Sequence, residues 1–204
     1  MSEPVRHIVF DIGKVLIHYD PELAYLDLIP DTAERRHFLD KICSPAWNIE
    51  QDRGRSWQDG EALLIAKYPD QANHVRAFRV NWHKMVPFAL SQTVFLFEAL
   101  LLQGRDVTLL TNFAADTFRE AQKRFDFLGK SRGVTVSGEI GLLKPQHEIY
   151  DLHVKAFGLL PAATLFIDDS PANVEGAIGA GWQGLHFTDA SQLQADLMRL
   201  GITL

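Results

Sequence analysis

Short, nearly continuous apolar runs predict three buried strands in this chain. The runs lie at 8–10, 107–110 and 164–167, and a fourth candidate lies at 184–187. Strands of a parallel sheet are covered by helices on both faces, so they are apolar throughout rather than at every second position. Each of the first three runs ends in polar residues. The pattern therefore predicts a parallel sheet with polar side chains at its carboxyl edge.

Helical patterns fill the intervals between these strands. They extend over 91–103, 114–125, 146–157, 170–180 and 190–200. Gly104 and Gly158 stand where a helix is expected to end, and Ser170-Pro171 has the order of an N-cap followed by a proline in the first turn. The alternation of strand and helix predicts an α/β fold with a doubly wound parallel sheet.

One long segment interrupts this alternation because it shows helical patterns only. Helices are expected there at 21–29, 31–42, 56–68 and 70–85. Asp31 and Glu34 have the spacing of a capping box. We expect residues 18–88 to form a small all-helical cap, inserted into an α/β core of residues 1–17 and 89–204. The alternative is a weak strand hidden within this segment.

Composition and charge narrow the class of protein. The chain has 204 residues, and its hydrophobic fraction of 47% excludes disordered classes. Its formal net charge of −6 argues against a nucleic-acid partner. The single cysteine, Cys43, cannot form an internal disulfide and favours a reducing compartment. No signal-peptide pattern is visible, and the longest apolar stretch, near 95–102, is too short to cross a membrane. We expect a soluble cytoplasmic protein, a monomer or dimer, with no membrane partner.

The polar residues at the predicted strand ends have the composition of a phosphoryl-transfer site. The set is Asp11, Thr111, Asn112, Asp168 and Asp169, with Lys144 in a loop before a helix. Clustered carboxylates repel one another unless a cation lies among them, and hard oxygen ligands suit Mg²⁺. A hydroxyl and an amide can donate to phosphate oxygens, a lysine neutralises charge, and an aspartate can attack phosphorus. These residues predict Mg²⁺-assisted chemistry on a phosphorylated small molecule.

Four segments resemble, in order, the motifs of the haloacid dehalogenase (HAD) superfamily. They are VFDIGKVL, LLTN, GLLKPQHEIY and LFIDDSPANVEGA, and they extend over nearly the whole chain. The resemblance implies an HAD-like Rossmannoid core and a helical C1 cap. Within the cap, Trp47-Asn48 and Asp52-Arg53-Gly54 look most like the bacterial α-D-glucose-1-phosphate phosphatase group. The implied activity is a Mg²⁺-dependent phosphatase for a small metabolite, such as a sugar phosphate, with an aspartyl-phosphate intermediate on Asp11.

The resemblance also assigns roles to individual residues. Asp11 matches the nucleophile and a metal ligand, and Lys144 matches the lysine that holds nucleophile and phosphate together. Asp169 matches an acidic metal ligand, whereas Asp168 is either a second ligand or orients a metal-bound water. The main-chain carbonyl of Gly13 matches a further metal ligand. The implied phosphate-binding set is Asp11, Ile12, Gly13, Thr111, Asn112 and Lys144.

The sequence departs from the family pattern at Gly13. Most phosphatases of the superfamily have an aspartate there, which serves as the general acid and base. His18 and Asp20 are candidates to replace it. Two alternatives stay open: a 2-haloacid dehalogenase, in which the aspartate attacks carbon without a metal, and a catalytically silent binding protein. The adjacent Asp168 and Asp169 favour a cation-dependent reaction over the dehalogenase.

Overall fold

A five-stranded parallel sheet forms the centre of the fold. The computed structural model describes residues 3–203, and the order across the sheet is β3-β2-β1-β4-β5. The strands are β1 (His7–Phe10), β2 (Asp106–Thr111), β3 (Val134–Val136), β4 (Thr164–Asp168) and β5 (Gln183–His186). The predicted α/β fold with a parallel sheet is confirmed. Strand β3 escaped prediction because three residues are too few to form a recognisable apolar run.

The inserted segment, residues 18–88, contains helices and no named strand among the described residues. Its helices are α1 (Thr32–Lys41), α2 (Pro45–Asp52), α3 (Trp57–Lys67), α4 (Ala72–Val80) and α5 (Trp82–Met85), with single 3₁₀ turns at Pro21–Ala24 and Pro69–Gln71. Isolated bridges join Ile17 to Gly13 and Ala89 where the chain enters and leaves this segment. The alternative of a hidden strand is therefore wrong.

Two details of this segment differ from the predicted helices. The helix expected at 21–29 is a single 3₁₀ turn, because Tyr25 turns into the core, where its ring packs against Phe38 and its hydroxyl donates to the carbonyl of His74 at 2.8 Å. Helix α2 was not predicted, although the Ser44 hydroxyl caps it by accepting from the Trp47 N–H at 3.2 Å. Tertiary contacts decide both cases.

Six further α-helices follow the insert among the described residues. They are α6 (Ser91–Leu102), α7 (Ala115–Arg124), α8 (Ser137–Ile140), α9 (His147–Phe157), α10 (Pro171–Gly179) and α11 (Ala190–Arg199). Successive residues of β1 point to opposite layers: Ile8 and Phe10 enter one apolar cluster, whereas Val9 enters the other. Helices therefore cover both faces of the sheet, as a doubly wound fold requires. Among the described residues, no helix combines the length and apolarity needed to cross a membrane.

Candidate active site

The register of the three central strands places their carboxyl ends side by side. Phe10 pairs with Leu109 of β2 on one side and with Ile167 of β4 on the other. The next residue, Asp11, donates its backbone N–H to the carbonyl of Ile167 at 2.9 Å. Asp168 is the last residue of β4. Two carboxylates from adjacent strands thus meet at the sheet edge where ligands bind in open α/β folds.

Lys144 joins these two carboxylates. Its Nζ lies 2.8 Å from Asp11 Oδ1 and 2.7 Å from Asp168 Oδ2, and it also donates to the carbonyl of Leu110 at 3.0 Å. Burial alone would lower the pKa of Lys144, but the two carboxylates outweigh burial and hold that pKa above its ordinary value. The side chain is therefore a fixed cation, 3% of the residue being exposed.

Asn112 positions the loop that carries Lys144. The Asn112 side chain accepts from the Lys144 backbone N–H at 2.8 Å and donates to the Lys144 carbonyl at 3.0 Å. This reciprocal pair ties the end of β2 to the loop before α9. Asn112 therefore stabilises the site through the backbone as well as presenting a polar side chain beside it.

Asp11 has an unusual environment for a carboxylate. Burial raises the pKa of Asp11 to about 7, and nearby Asp168 adds to the rise while Lys144 opposes it. The hydrogen bond from the Ile12 backbone N–H also favours the ionised form. A second cation at this point would stabilise the ionised Asp11 further, since opposite charge lowers the pKa of a carboxyl group.

Three carboxylates lie close enough to hold a metal ion. Oxygen atoms of Asp11, Asp168 and Asp169 all lie within 4.8 Å of one another. Asp168 is fully committed to the protein: its oxygens accept from Lys144, from the Ser170 N–H at 2.8 Å and from Asn173 Nδ2 at 3.0 and 3.1 Å. Asp169 is only partly buried. The donor set is hard and anionic, which fits Mg²⁺, and Asp169 is better placed than Asp168 to give an oxygen to it.

The strand ends also offer groups for phosphate oxygens. Thr111 is 1% exposed, and its hydroxyl has no hydrogen-bond partner among the described residues. A buried hydroxyl without a partner is costly in a folded protein and marks a ligand position. Ile12 is fully buried in the apolar core, so its side chain offers no polar group to a ligand. A Cβ added at Gly13 would meet nothing within 4 Å, so this glycine borders open space.

A small cavity, partly open to solvent, adjoins Gly13 and Asn112. Its lining combines residues of the helical segment 18–88 with residues that precede and follow that segment, and they are Ile17, Tyr19, Asn48, Asp52, Trp57, Trp82, Val86, Phe113 and Thr117. Most of this lining is apolar or aromatic. Asn48 and Asp52 belong to the segments that resemble the glucose-1-phosphate phosphatase group, but the sequence did not predict that they share a cavity with these aromatic residues, because the members of the lining are separated along the chain and meet only in the fold.

The other candidates from the sequence have structural roles. The ring of His18 stacks on Phe88 with centroids 4.8 Å apart. Asp20 accepts from the Glu22 N–H at 2.9 Å and so caps a 3₁₀ turn. Trp47 donates from Nε1 to the carbonyl of Gly60 at 2.9 Å within the insert. Neither His18 nor Asp20 lines the cavity beside Gly13.

Comparison with known proteins identifies the family. The family model described as haloacid dehalogenase-like hydrolase matches residues 5–181. The chain is also 31% identical over 202 residues to the sesquiterpene phosphatase astK of Aspergillus oryzae, with 98% of each chain covered. A shorter match, 44% over 64 residues, joins 31% of this chain to 26% of flavin mononucleotide hydrolase 1 of Arabidopsis thaliana. This protein therefore belongs to the haloacid dehalogenase-like hydrolase family.

Solved structures share the fold at low identity. A predicted HAD-like family hydrolase from Porphyromonas gingivalis superposes with a TM-score of 0.76 at 21% identity, covering 99% of this chain and 100% of that one. An HAD family enzyme from Bacteroides thetaiotaomicron, crystallised with magnesium and inorganic phosphate, has a TM-score of 0.70 at 18% identity and coverages of 91% and 95%. These structures confirm the predicted fold class, and the family model confirms the predicted hydrolase class.

Proposed function

We propose that this protein is a Mg²⁺-dependent phosphatase that hydrolyses small phosphate monoesters through an aspartyl-phosphate on Asp11. The observation that carries the proposal is the contact between Asp11 and buried Lys144, at 2.8 Å, beside two further carboxylates. A 2-haloacid dehalogenase needs no cation. A cluster with three acids and one lysine supports a reaction in which a metal ion balances the remaining charge.

Each residue of the site has a place in this reaction. An oxygen of Asp11 attacks phosphorus, the bond from phosphorus to the leaving oxygen breaks, and water then cleaves the aspartyl-phosphate to release inorganic phosphate. Lys144 and the Thr111 hydroxyl stabilise negative charge on the transferring group, with the side chain of Asn112 beside them. Bound Mg²⁺, held by Asp11, Asp169 and the carbonyl of Gly13, would neutralise phosphate and nucleophile.

The named relatives support this class of reaction. One is a sesquiterpene phosphatase and another a flavin mononucleotide hydrolase. A structural neighbour was crystallised with magnesium and inorganic phosphate. These names support hydrolysis of a phosphorylated small molecule. The expectations of a cytoplasmic enzyme, monomeric or dimeric and without nucleic-acid or membrane partners, accompany the proposal.

We further propose that residues 18–88 act as a cap domain over a core of residues 1–17 and 89–204. The helical content of the insert supports this division. So does the cavity, since Trp57 and Trp82 from the insert and Phe113 from the core line it together. A cap placed in this way would select the organic part of the substrate.

Two alternative substrate classes are considered for this cavity. The resemblance of the cap to the glucose-1-phosphate phosphatase group favours a sugar phosphate. The aromatic lining instead favours a phosphate ester with an apolar organic part, because Trp57, Trp82 and Phe113 offer few hydrogen bonds to sugar hydroxyls. The name of the Aspergillus relative is consistent with the second class.

Phosphate release from three substrate types tests the proposal. Wild-type protein would be assayed with p-nitrophenyl phosphate, a panel of hexose 1- and 6-phosphates, and an isoprenoid monophosphate, each with Mg²⁺ and with EDTA. We expect turnover that requires Mg²⁺ and that Asp11→Asn abolishes, because a carboxamide is a poor nucleophile. Turnover that survives EDTA, or an Asp11→Asn variant with a tenth of wild-type activity, would refute it. The preferred ester decides between the two substrate classes.

A further inference from the structure

One acidic residue of the insert faces the reaction site and has no role in the scheme above. Asp52, the last residue of α2, lines the same cavity as Gly13 and Asn112. Asp11 is close enough for its charge to act on Asp52. The cavity therefore has a carboxyl group contributed by the insert, in a site where Gly13 occupies the position of the usual acid.

The backbone of Asp52 is anchored to the core. Its carbonyl accepts a hydrogen bond from the Ser137 hydroxyl at 2.6 Å, and that hydroxyl also accepts from the Phe113 N–H at 2.8 Å. Gly54, with φ of +106°, follows, and an added Cβ there would lie 3.2 Å from the carbonyl of Gly138. The placement of Asp52 thus depends on backbone contacts, and a change of its side chain leaves these contacts in place.

The environment of the Asp52 side chain shifts its carboxyl group toward the protonated form. Asn48 Nδ2 lies 3.4 Å from Asp52 Oδ2. The titratable groups that face Asp52 are Asp11 from the sheet edge and Tyr19 from the loop after β1. Burial raises the pKa of Asp52 to about 7, the charge of Asp11 contributes, and a hydrogen bond from the Ala114 backbone opposes the shift. A general acid works best with a pKa near the operating pH.

We propose that Asp52 is the general acid and base of this enzyme. It takes the role of the aspartate that most phosphatases of the superfamily have at the position of Gly13. The inference rests on the proposed phosphatase function. As the Asp11 oxygen bonds to phosphorus, the carboxylic acid of Asp52 gives its proton to the departing oxygen and becomes a carboxylate. In the second step this carboxylate takes a proton from the attacking water. Inorganic phosphate leaves, and both aspartates return to their starting state.

The dependence on the leaving group tests this role in two variants. A general acid accelerates the departure of a basic alkoxide, which must be protonated. It has little effect on p-nitrophenolate, which departs without a proton. Asp52→Asn should lower kcat/KM for a hexose 6-phosphate by about 10²-fold or more and change it less than about threefold for p-nitrophenyl phosphate. The control is Asp20→Asn, which removes a cap of a 3₁₀ turn and should affect both substrates equally.

Two further measurements keep the test decisive. The wild-type pH profile of kcat/KM for the 6-phosphate should fall on the alkaline side, and Asp52→Asn should lose that limb. Wild-type kcat/KM across phenyl phosphates of increasing leaving-group pKa should change little, a result that needs no variant. A uniform loss on all substrates in Asp52→Asn, or a steep dependence on leaving-group pKa in wild type, would overturn the inference. A wild-type protein inactive on every ester would refute the phosphatase itself.

Discussion

Lys144 Nζ lies 2.8 Å from Asp11 Oδ1 in a position that solvent hardly reaches. The same nitrogen contacts Asp168, so one cation serves two buried carboxylates. In a water-poor site such a charge acts on the reacting group more strongly than it would in bulk solvent. The lysine is therefore placed to act in the transition state as well as in substrate binding.

Lys144→Met should lower kcat as well as raise KM. The methionine keeps similar bulk but removes the charge that stabilises both nucleophile and transferring phosphate, so we expect kcat to fall by at least about 10²-fold. Steady-state kinetics with p-nitrophenyl phosphate would measure this, with Lys155→Met on the exposed face of α9 as the control. An unchanged kcat with a raised KM would reduce Lys144 to ground-state binding.

The two adjacent aspartates should respond differently to substitution. Asp169→Asn should raise the Mg²⁺ concentration needed for half-maximal activity by about tenfold, because a carboxylate ligand is lost at little structural cost. Asp168→Asn should instead lower the free energy of unfolding by about 1–3 kcal/mol, because buried donors on Lys144 and Ser170 lose a charged acceptor. Mg²⁺ titrations and denaturant unfolding measure the two effects. Identical Mg²⁺ curves would contradict this ranking.

The sequence allowed most members of the candidate site to be proposed, because they stand at the ends of strands. Asp11, Thr111 and Asp168 each stand directly at the end of a buried strand, where apolar runs are easy to recognise. Parallel strands bring such positions to one edge whatever the helices do. The same reasoning placed four of the five strands and missed β3, which has three residues.

The position of Asp52 in the cavity could not be predicted from the sequence, for a physical reason. Its approach to the site depends on a hydrogen bond from Ser137, 85 residues away in sequence, and on the close contact of Gly54 with Gly138. Neither contact has a periodic pattern. The aromatic lining is similar: Trp57 reaches the cavity because its Nε1 donates to Asp116 of α7 at 3.0 Å. Contacts between distant segments decide which insert residues face the substrate.

A buried histidine should make the fold sensitive to acid. His153 contacts the hydroxyls of Thr108 at 2.9 Å and Thr135 at 2.8 Å, and burial lowers its pKa to about 3, with Arg132 and Lys144 contributing. The unfolded chain binds a proton at higher pH than the native state does. The contribution of neutral His153 to stability is therefore fully present above pH 6.5 and is lost progressively as the pH falls from 6.5 toward 3.

We expect His153 to lower the free energy of unfolding by about 2 kcal/mol when the pH falls from 7 to 5. Urea unfolding at the two pH values would compare wild type with His153→Gln, which is less stable at pH 7 but loses less on acidification. The exposed His147 provides a matched control, and His147→Gln should behave like wild type. Equal pH dependence in His153→Gln and wild type would show that His153 is not the group responsible.

The open space at Gly13 allows the missing acid to be returned to its usual place. A Cβ added at this position would meet nothing within 4 Å, and the main-chain carbonyl is retained in any variant. If Asp52 supplies the proton, Gly13→Asp should change kcat/KM on hexose 6-phosphates by less than about threefold in wild type but recover about tenfold or more in Asp52→Asn. The rescue should be smaller for hexose 1-phosphates, whose anomeric oxygen is a better leaving group.

Paired assays of glucose, mannose and galactose 1- and 6-phosphates measure this rescue in wild type, Gly13→Asp, Asp52→Asn and the double variant. A Gly13→Asp gain of the same size in both backgrounds would mean that the two positions act independently and that Asp52 does not carry the proton.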